Sequence, residues 1–178
     1  MRILGVDPGL YITGYGVLEV NCNFTPHILE AGVIRTTQKL SLPQKVGKIY
    51  RGIKRLVEEF QPNFIVLEEL YSHYRHPRTA ILMGHARGVI SLVAEEKKIS
   101  LIGYSATRIK KVLLGKGNAT KEQVQRMVQY LLGLKKIPQP DDVSDALALA
   151  IAHARILNRT SLLSKAGCSS KKNLFSLK

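Results

Sequence analysis

Apolar and polar positions along this chain follow two different periods. Residues 2–7 (RILGVD) form a short apolar run, followed by 13–20 (TGYGVLEV) and 27–36 (HILEAGVIRT), with the turn-prone NCNFTP between the latter two. Each run has strand length. Connections this short make neighbouring strands antiparallel, so the spacing predicts a three-stranded meander. From Pro43 to Phe60 the period changes: Val46, Ile49, Ile53, Leu56, Val57 and Phe60 recur at helical spacing, and Pro62 ends the helix. FIVLE (64–68) predicts a fully apolar fourth strand, then a long helix over 78–98 and a fifth strand, SLIGY, at 100–104. Helices over 106–114, 121–132 and 142–158 complete the pattern, with Thr120 and Gln123 at capping-box spacing before the second of them.

A meander followed by helix–strand–helix–strand is an α/β arrangement. It predicts a five-stranded mixed sheet, three strands antiparallel and two parallel, flanked by about five helices. No internal repeat is visible. Residues 1–158 are expected to form one domain, and the Ser- and Lys-rich 159–178 a basic tail without ordered structure. With 178 residues and 45% hydrophobic composition, a sound core needs no staples. Cys22 and Cys168 stand far apart, so neither a disulfide framework nor a zinc site is indicated. Arg2 precedes only a short strand-like run, and no stretch has the length of a membrane span. A cytoplasmic protein without membrane attachment is expected.

Charge narrows the partners. The formal net charge is +14, with ten Lys or Arg and one acid between Lys97 and Pro140 and five basic residues without an acid from Arg159 onward. Such a balance favours a polyanion, nucleic acid first.

The few acids are then conspicuous. Asp7 and Glu68 each end an apolar strand core. If those strands are adjacent and parallel, both carboxylates emerge at one end of the sheet, where such sheets place their chemistry. An Asp-Pro-Gly turn is the plainer account of Asp7. Of the four Asp residues in the chain, three fall within PDDVSDALALAIA, where Asp142 and Asp145 share a helix face. The apolar run after them requires that helix to pack on the body of the protein. Asp141, directly after Pro140, is expected to cap it. Glu69 should point to the opposite face from Glu68. Gly14 and Gly16, two apart on one face, leave room above the sheet for something to approach. A cluster of carboxylates needs a cation, and Mg²⁺ takes oxygen ligands together with substrate phosphates. Two such ions, roughly 3.5–4 Å apart, stabilise both the attacking and the departing oxygen of a phosphodiester displacement.

Five separated stretches, ILGVDPGLYITGYGV, IVLEELY, GHARGV, KEQVQRMV and PDDVSDALALAIAH, together resemble the RuvC family of Holliday-junction resolvases in order and spacing. The resemblance covers residues 2 to about 157. It implies a ribonuclease H-like fold and a homodimer that resolves four-way junction DNA by nicking two strands of like polarity symmetrically. It also implies Mg²⁺ as cofactor, with Mn²⁺ able to substitute, and the RuvA–RuvB branch-migration complex as partner. Carried over by position, the catalytic and metal-binding acids are Asp7, Glu68, Asp142 and Asp145. Some members carry His at the Asp142 position. Tyr71 falls where the family has an aromatic residue that stacks on a base. Lys110 and Lys121 match basic positions needed for cleavage, with Lys111 beside Lys110 leaving that choice open. Lys121 opens a helix, where a cation is slightly unfavourable, which hints at a demand other than stability. Tyr74, Arg75, His76 and Arg78 suit phosphate contacts. Ala80, Gly84 and Gly88 line one side of the following helix, which the resemblance makes the dimer interface; packing on the protein's own sheet is the alternative. His73, His76 and His85 show no metal-ligand spacing, and His153 and Cys22 are expected to be structural. Three other functions remain to be weighed: an actin-like ATPase or sugar kinase, a related nuclease acting on structured RNA, and a binding module without activity.

Overall fold

The structure, a computed structural model, describes residues 1–69 and 77–172. Its elements run in the order β1 (Arg2–Asp7), β2 (Ile12–Val20), β3 (Pro26–Arg35), α1 (Leu42–Phe60), β4 (Phe64–Glu68), α2 (Pro77–Glu96), β5 (Ser100–Tyr104), α3 (Ala106–Leu114), α4 (Lys121–Leu131) and α5 (Asp141–Lys172). The five strands form one sheet in the order β3-β2-β1-β4-β5. β1, β2 and β3 pair antiparallel as the short connections require, whereas β4 lies parallel to both β1 and β5. This is the mixed sheet expected from the sequence.

Each face of the sheet carries its own core. Leu4, Val6, Val17, Ile65 and Leu67 face α1 and α2, where Ile49, Ile53, Leu56, Ile90 and Val93 meet them. The alternate positions Ile3, Leu18 and Val66 face α3, α4 and α5. Full burial of one such aliphatic side chain contributes about 1.5–3 kcal/mol, so the two-residue period determines which face of every strand is sealed. α5 is the central helix of its layer. Ala146 to Ala152 are all buried, because the helix is covered by the sheet on one side and by α3 and α4 on the others.

What lets α5 lie so close is the absence of side chains beneath it. A Cβ on Gly5 would fall inside the carbonyl oxygen of Ala146, and one on Gly14 inside that of Asp142. On Gly16 it would stand 2.5 Å from Leu147 Cδ2. The room noted above Gly14 and Gly16 is therefore filled by the protein's own helix.

Two helix ends lie two or more residues from expectation. α2 spans Pro77–Glu96 and ends before 98. α5 does not stop at Asn158, where the apolar pattern fades, but continues to Lys172. The reason is cooperativity: an anchored helix has already overcome the cost of nucleation, and no proline stands between Arg159 and Lys172 to stop its propagation.

Candidate active site

The pairing of β1 with β4 sets the first half of the site. Its register aligns Val6 with Leu67, so the next residues, Asp7 and Glu68, leave the sheet side by side. By the alternation that sends Gly5 and Val66 toward α5, both carboxylates point to the α5 face. The second half is the first turn of α5, held on Gly14 through Asp142 and tied by Ser144, whose Oγ donates to the carbonyl of Pro138 at 3.0 Å. Asp142 and Asp145 thus arrive over the tips of β1 and β4. α4 closes the site. Thr120 Oγ1 accepts from the Gln123 amide at 3.2 Å and Gln123 Oε1 from the Thr120 amide at 3.1 Å, the expected capping box, which places Lys121 at the first helical position.

Lys121 Nζ lies 3.2 Å from Asp145 Oδ2 and 3.2 Å from Asp141 Oδ2. Asp141 is thereby corrected: instead of capping α5, it turns outward to the lysine, whose hydrogen bond holds its carboxyl below the ordinary range. The lysine's position at a helix start also gains its reason. Partial burial works against its charge, but Asp145 and Asp141 outweigh that and raise its pKa.

The acids share one electrostatic field. The Asp7 carboxyl is pushed up to about 7, first by burial and then by Asp145, Glu68 and Asp142, with Lys121 opposing. Glu68 is raised by burial and by Asp145 against the pull of Lys110, Arg87 and Lys121. Asp145 is raised chiefly by burial, although Lys121 opposes it. Beside them opens a cleft of about 200 Å³, lined by Glu68, Lys110, Lys121 and Asp145 over an apolar floor that includes Ile109, Val124 and Leu149.

A half-buried group of carboxylates that raise one another's proton affinity fits a hard divalent cation, which would replace the missing positive charge. The donors are all oxygen, as Mg²⁺ requires. Among the described residues no three acids are yet gathered closely enough to grip an ion. Glu68 and Asp145 line one cleft, and Lys121 is the ion-pair partner of Asp145.

The family model for the crossover junction endodeoxyribonuclease RuvC matches residues 3–153. This chain belongs to the RuvC family. It is 41% identical over 162 residues to the crossover junction endodeoxyribonuclease RuvC of Alkaliphilus oremlandii, covering 91% of this chain and 98% of that one. With the RuvC of Moorella thermoacetica it shares 44% over 154 residues, 86% of this chain and 91% of the relative. Among solved structures, Thermus thermophilus RuvC superposes with a TM-score of 0.83 at 31% identity, over 90% of this chain and 97% of the other. The same protein in complex with Holliday junction substrate gives 0.82 at 30%, over 89% and 96%. The ribonuclease H-like fold of the RuvC family is therefore the fold of this chain.

The structure separates the other sequence candidates. Lys110 lines the acid cleft, but Lys111 faces a different groove with Arg108 and Arg159, between α3 and α5. Adjacent helix residues point about 100° apart, which is why sequence proximity left that choice open. Tyr71, Arg75, Tyr74, His73 and His76 lie outside the described residues, as does the side chain of Arg78 on α2. Glu69 is exposed and abuts Gly103, away from the site. His153 is structural: its Nδ1 shares a 2.8 Å hydrogen bond with the Tyr104 hydroxyl beneath Phe64. One contributor was missed. Arg87, from α2, donates to the backbone carbonyl of Glu68 and so ties that helix to the tip of β4. Its signal was present, a lone cation in the small-residue stretch GHARGV, but nothing in one dimension joins it to residue 68.

Proposed function

We propose that this chain is a homodimeric, Mg²⁺-dependent junction resolvase that nicks two like-polarity strands of a four-way DNA symmetrically. The observation that carries the reading is the convergence of Asp7 and Glu68 with the first turn of α5 in a member of the RuvC family. Asp7, Glu68, Asp142 and Asp145 would hold the metal, with Asp7 at the centre because the other three all act on it. When bound, a pair of such ions supplies activation of water and stabilisation of the departing 3′-oxygen. The protein's own residues do the remainder. Lys121 and Lys110 bring positive charge to the cleft wall, where the substrate phosphate accumulates charge as it is attacked. Arg87 holds the Glu68 backbone, which keeps that carboxylate on the cleft side.

The dimer reading rests on α2. Ile81 is 63% and Leu92 50% exposed, and a Cβ on either Gly84 or Gly88 meets nothing within 4 Å. An apolar face with two glycines in open space suits close packing against a second copy. Family membership supports the RuvA–RuvB complex as partner and a cytoplasmic setting. Among the described residues no helix is long and apolar enough to cross a membrane. DNA is favoured over structured RNA because the related proteins are endodeoxyribonucleases by name.

A gel assay with four-way DNA, linear duplex and structured RNA, each with and without Mg²⁺, tests the reading. The wild type should cut only the four-way DNA, leaving ends that a ligase reseals. Asp7→Asn should abolish cutting and retain junction binding, since affinity comes from the basic surface. Normal nicking by Asp7→Asn in Mg²⁺ overturns the assignment.

A further inference from the structure

The turn that follows Asp7 presents a ring and an ammonium to which the reading above gives no role. Tyr11 is 44% exposed, and Lys45 of α1 sends its Nζ to 4.5 Å from the ring centroid. Lys45 is itself only 7% exposed. Among the described residues no carboxylate stands within ion-pair distance of it. Burying a lysine without a counter-charge is costly, and a cation–π contact offsets only part of that cost. A methionine would pack the same space without it. Yet the ammonium at the end of that side chain is not sealed from solvent. Its ammonium is free to take an anion that none of the described residues supplies.

The turn is also rigid. Thr36 Oγ1 donates to the Leu10 carbonyl at 2.6 Å and the Thr36 amide to the Tyr11 carbonyl at 2.8 Å. Thr13 Oγ1 donates to the Gly9 carbonyl at 2.7 Å. Tyr11 is therefore fixed in place, and four residues of chain keep its Cα within about 14 Å of that of Asp7.

We propose that Tyr11 and Lys45 form a nucleotide-binding subsite beside the turn that follows Asp7. Lys45 takes a backbone phosphate of the bound strand, and the ring face of Tyr11 not covered by the ammonium stacks on the adjoining base. This rests on the reading that the substrate is branched DNA, where bases near the branch point are unstacked and open to a flat ring.

The test is fluorescence anisotropy of a labelled four-way junction without metal, over a series of salt concentrations, with unfolding midpoints measured in parallel. Tyr11→Ala should weaken binding by roughly tenfold or more, and Tyr11→Phe should restore it, because stacking needs only the ring. Lys45→Met should reduce the slope of log affinity against log salt by about one, the signature of one lost phosphate contact. Its unfolding midpoint should not fall. An unchanged slope in Lys45→Met, whether or not the midpoint drops, overturns the proposal, and so does full affinity in Tyr11→Ala. If the wild type binds no four-way junction, the functional reading itself has failed, and the subsite with it.

Discussion

Asp7→Asn should make the metal-free protein more stable, against the usual direction of a substitution at a largely buried position. The Asp7 carboxyl rises from 3.8 to about 7 on folding, through burial and the neighbouring acids. At a pH between those values the native state holds a proton that the unfolded chain has released. Stability is therefore lost as pH rises across that window, and the whole penalty is present above pH 7. A shift from 3.8 to about 7 corresponds to at most about 4 kcal/mol. Asparagine keeps the shape and removes the charge. Denaturant unfolding in a chelator should show Asp7→Asn more stable than wild type by about 1–4 kcal/mol at pH 8, the gap closing toward pH 4. Added Mg²⁺ should then stabilise the wild type and leave the variant unchanged, because a ligand adds stability only where it binds the native state. The reasoning is refuted if the variant is no more stable than wild type at pH 8 without metal, or if the gap is the same at both pH values.

Gly14→Ala should damage the site without touching an acid. Its Cβ would enter the carbonyl of Asp142 and lift α5 from the sheet, costing about 1–3 kcal/mol in denaturant unfolding and at least tenfold in cleavage rate by the gel assay. Gly88→Ala is the contrast: open space lies over it, so thermal unfolding of the monomer should hold or improve by about 0.5–1 kcal/mol, while sedimentation should show a weakened dimer. His153 should add an acid-sensitive component. Burial lowers its pKa, so the unfolded chain binds a proton below pH 6.5 that the native state refuses, and stability is lost there as the pH drops. That slope should be missing in a His153→Phe, Tyr104→Phe double variant; its persistence would show that another group is responsible.

How much of the site was legible depended on whether its determinants were local. Asp7 and Glu68 stood out because an apolar strand ending in an acid is a pattern of a few residues. Asp142 and Asp145 stood out because three-residue spacing on a helix is also local, and the apolar run behind them announced a packed helix. Asp141 was misassigned as a cap because its partner, Lys121, lies on another helix. Arg87 was passed over for the same reason, since its contact with the Glu68 carbonyl spans α2 and β4. Lys110 and Lys111 could be parted only once α3 had two different neighbours, α4 with the acids on one side and α5 with Arg159 on the other.

Period, turn chemistry and charge thus determined the strands, most helix limits, the antiparallel meander and the placing of four acids at element ends, because each rests on interactions within a turn or two of chain. Only the packed molecule decided that α5 settles on Gly5, Gly14 and Gly16, that Lys121 faces Asp141 and Asp145, and that Lys45 lies under Tyr11. Those outcomes depend on the distance between separate elements. That distance is set by which side chains are missing from the interface, a property of two surfaces together that neither segment carries alone.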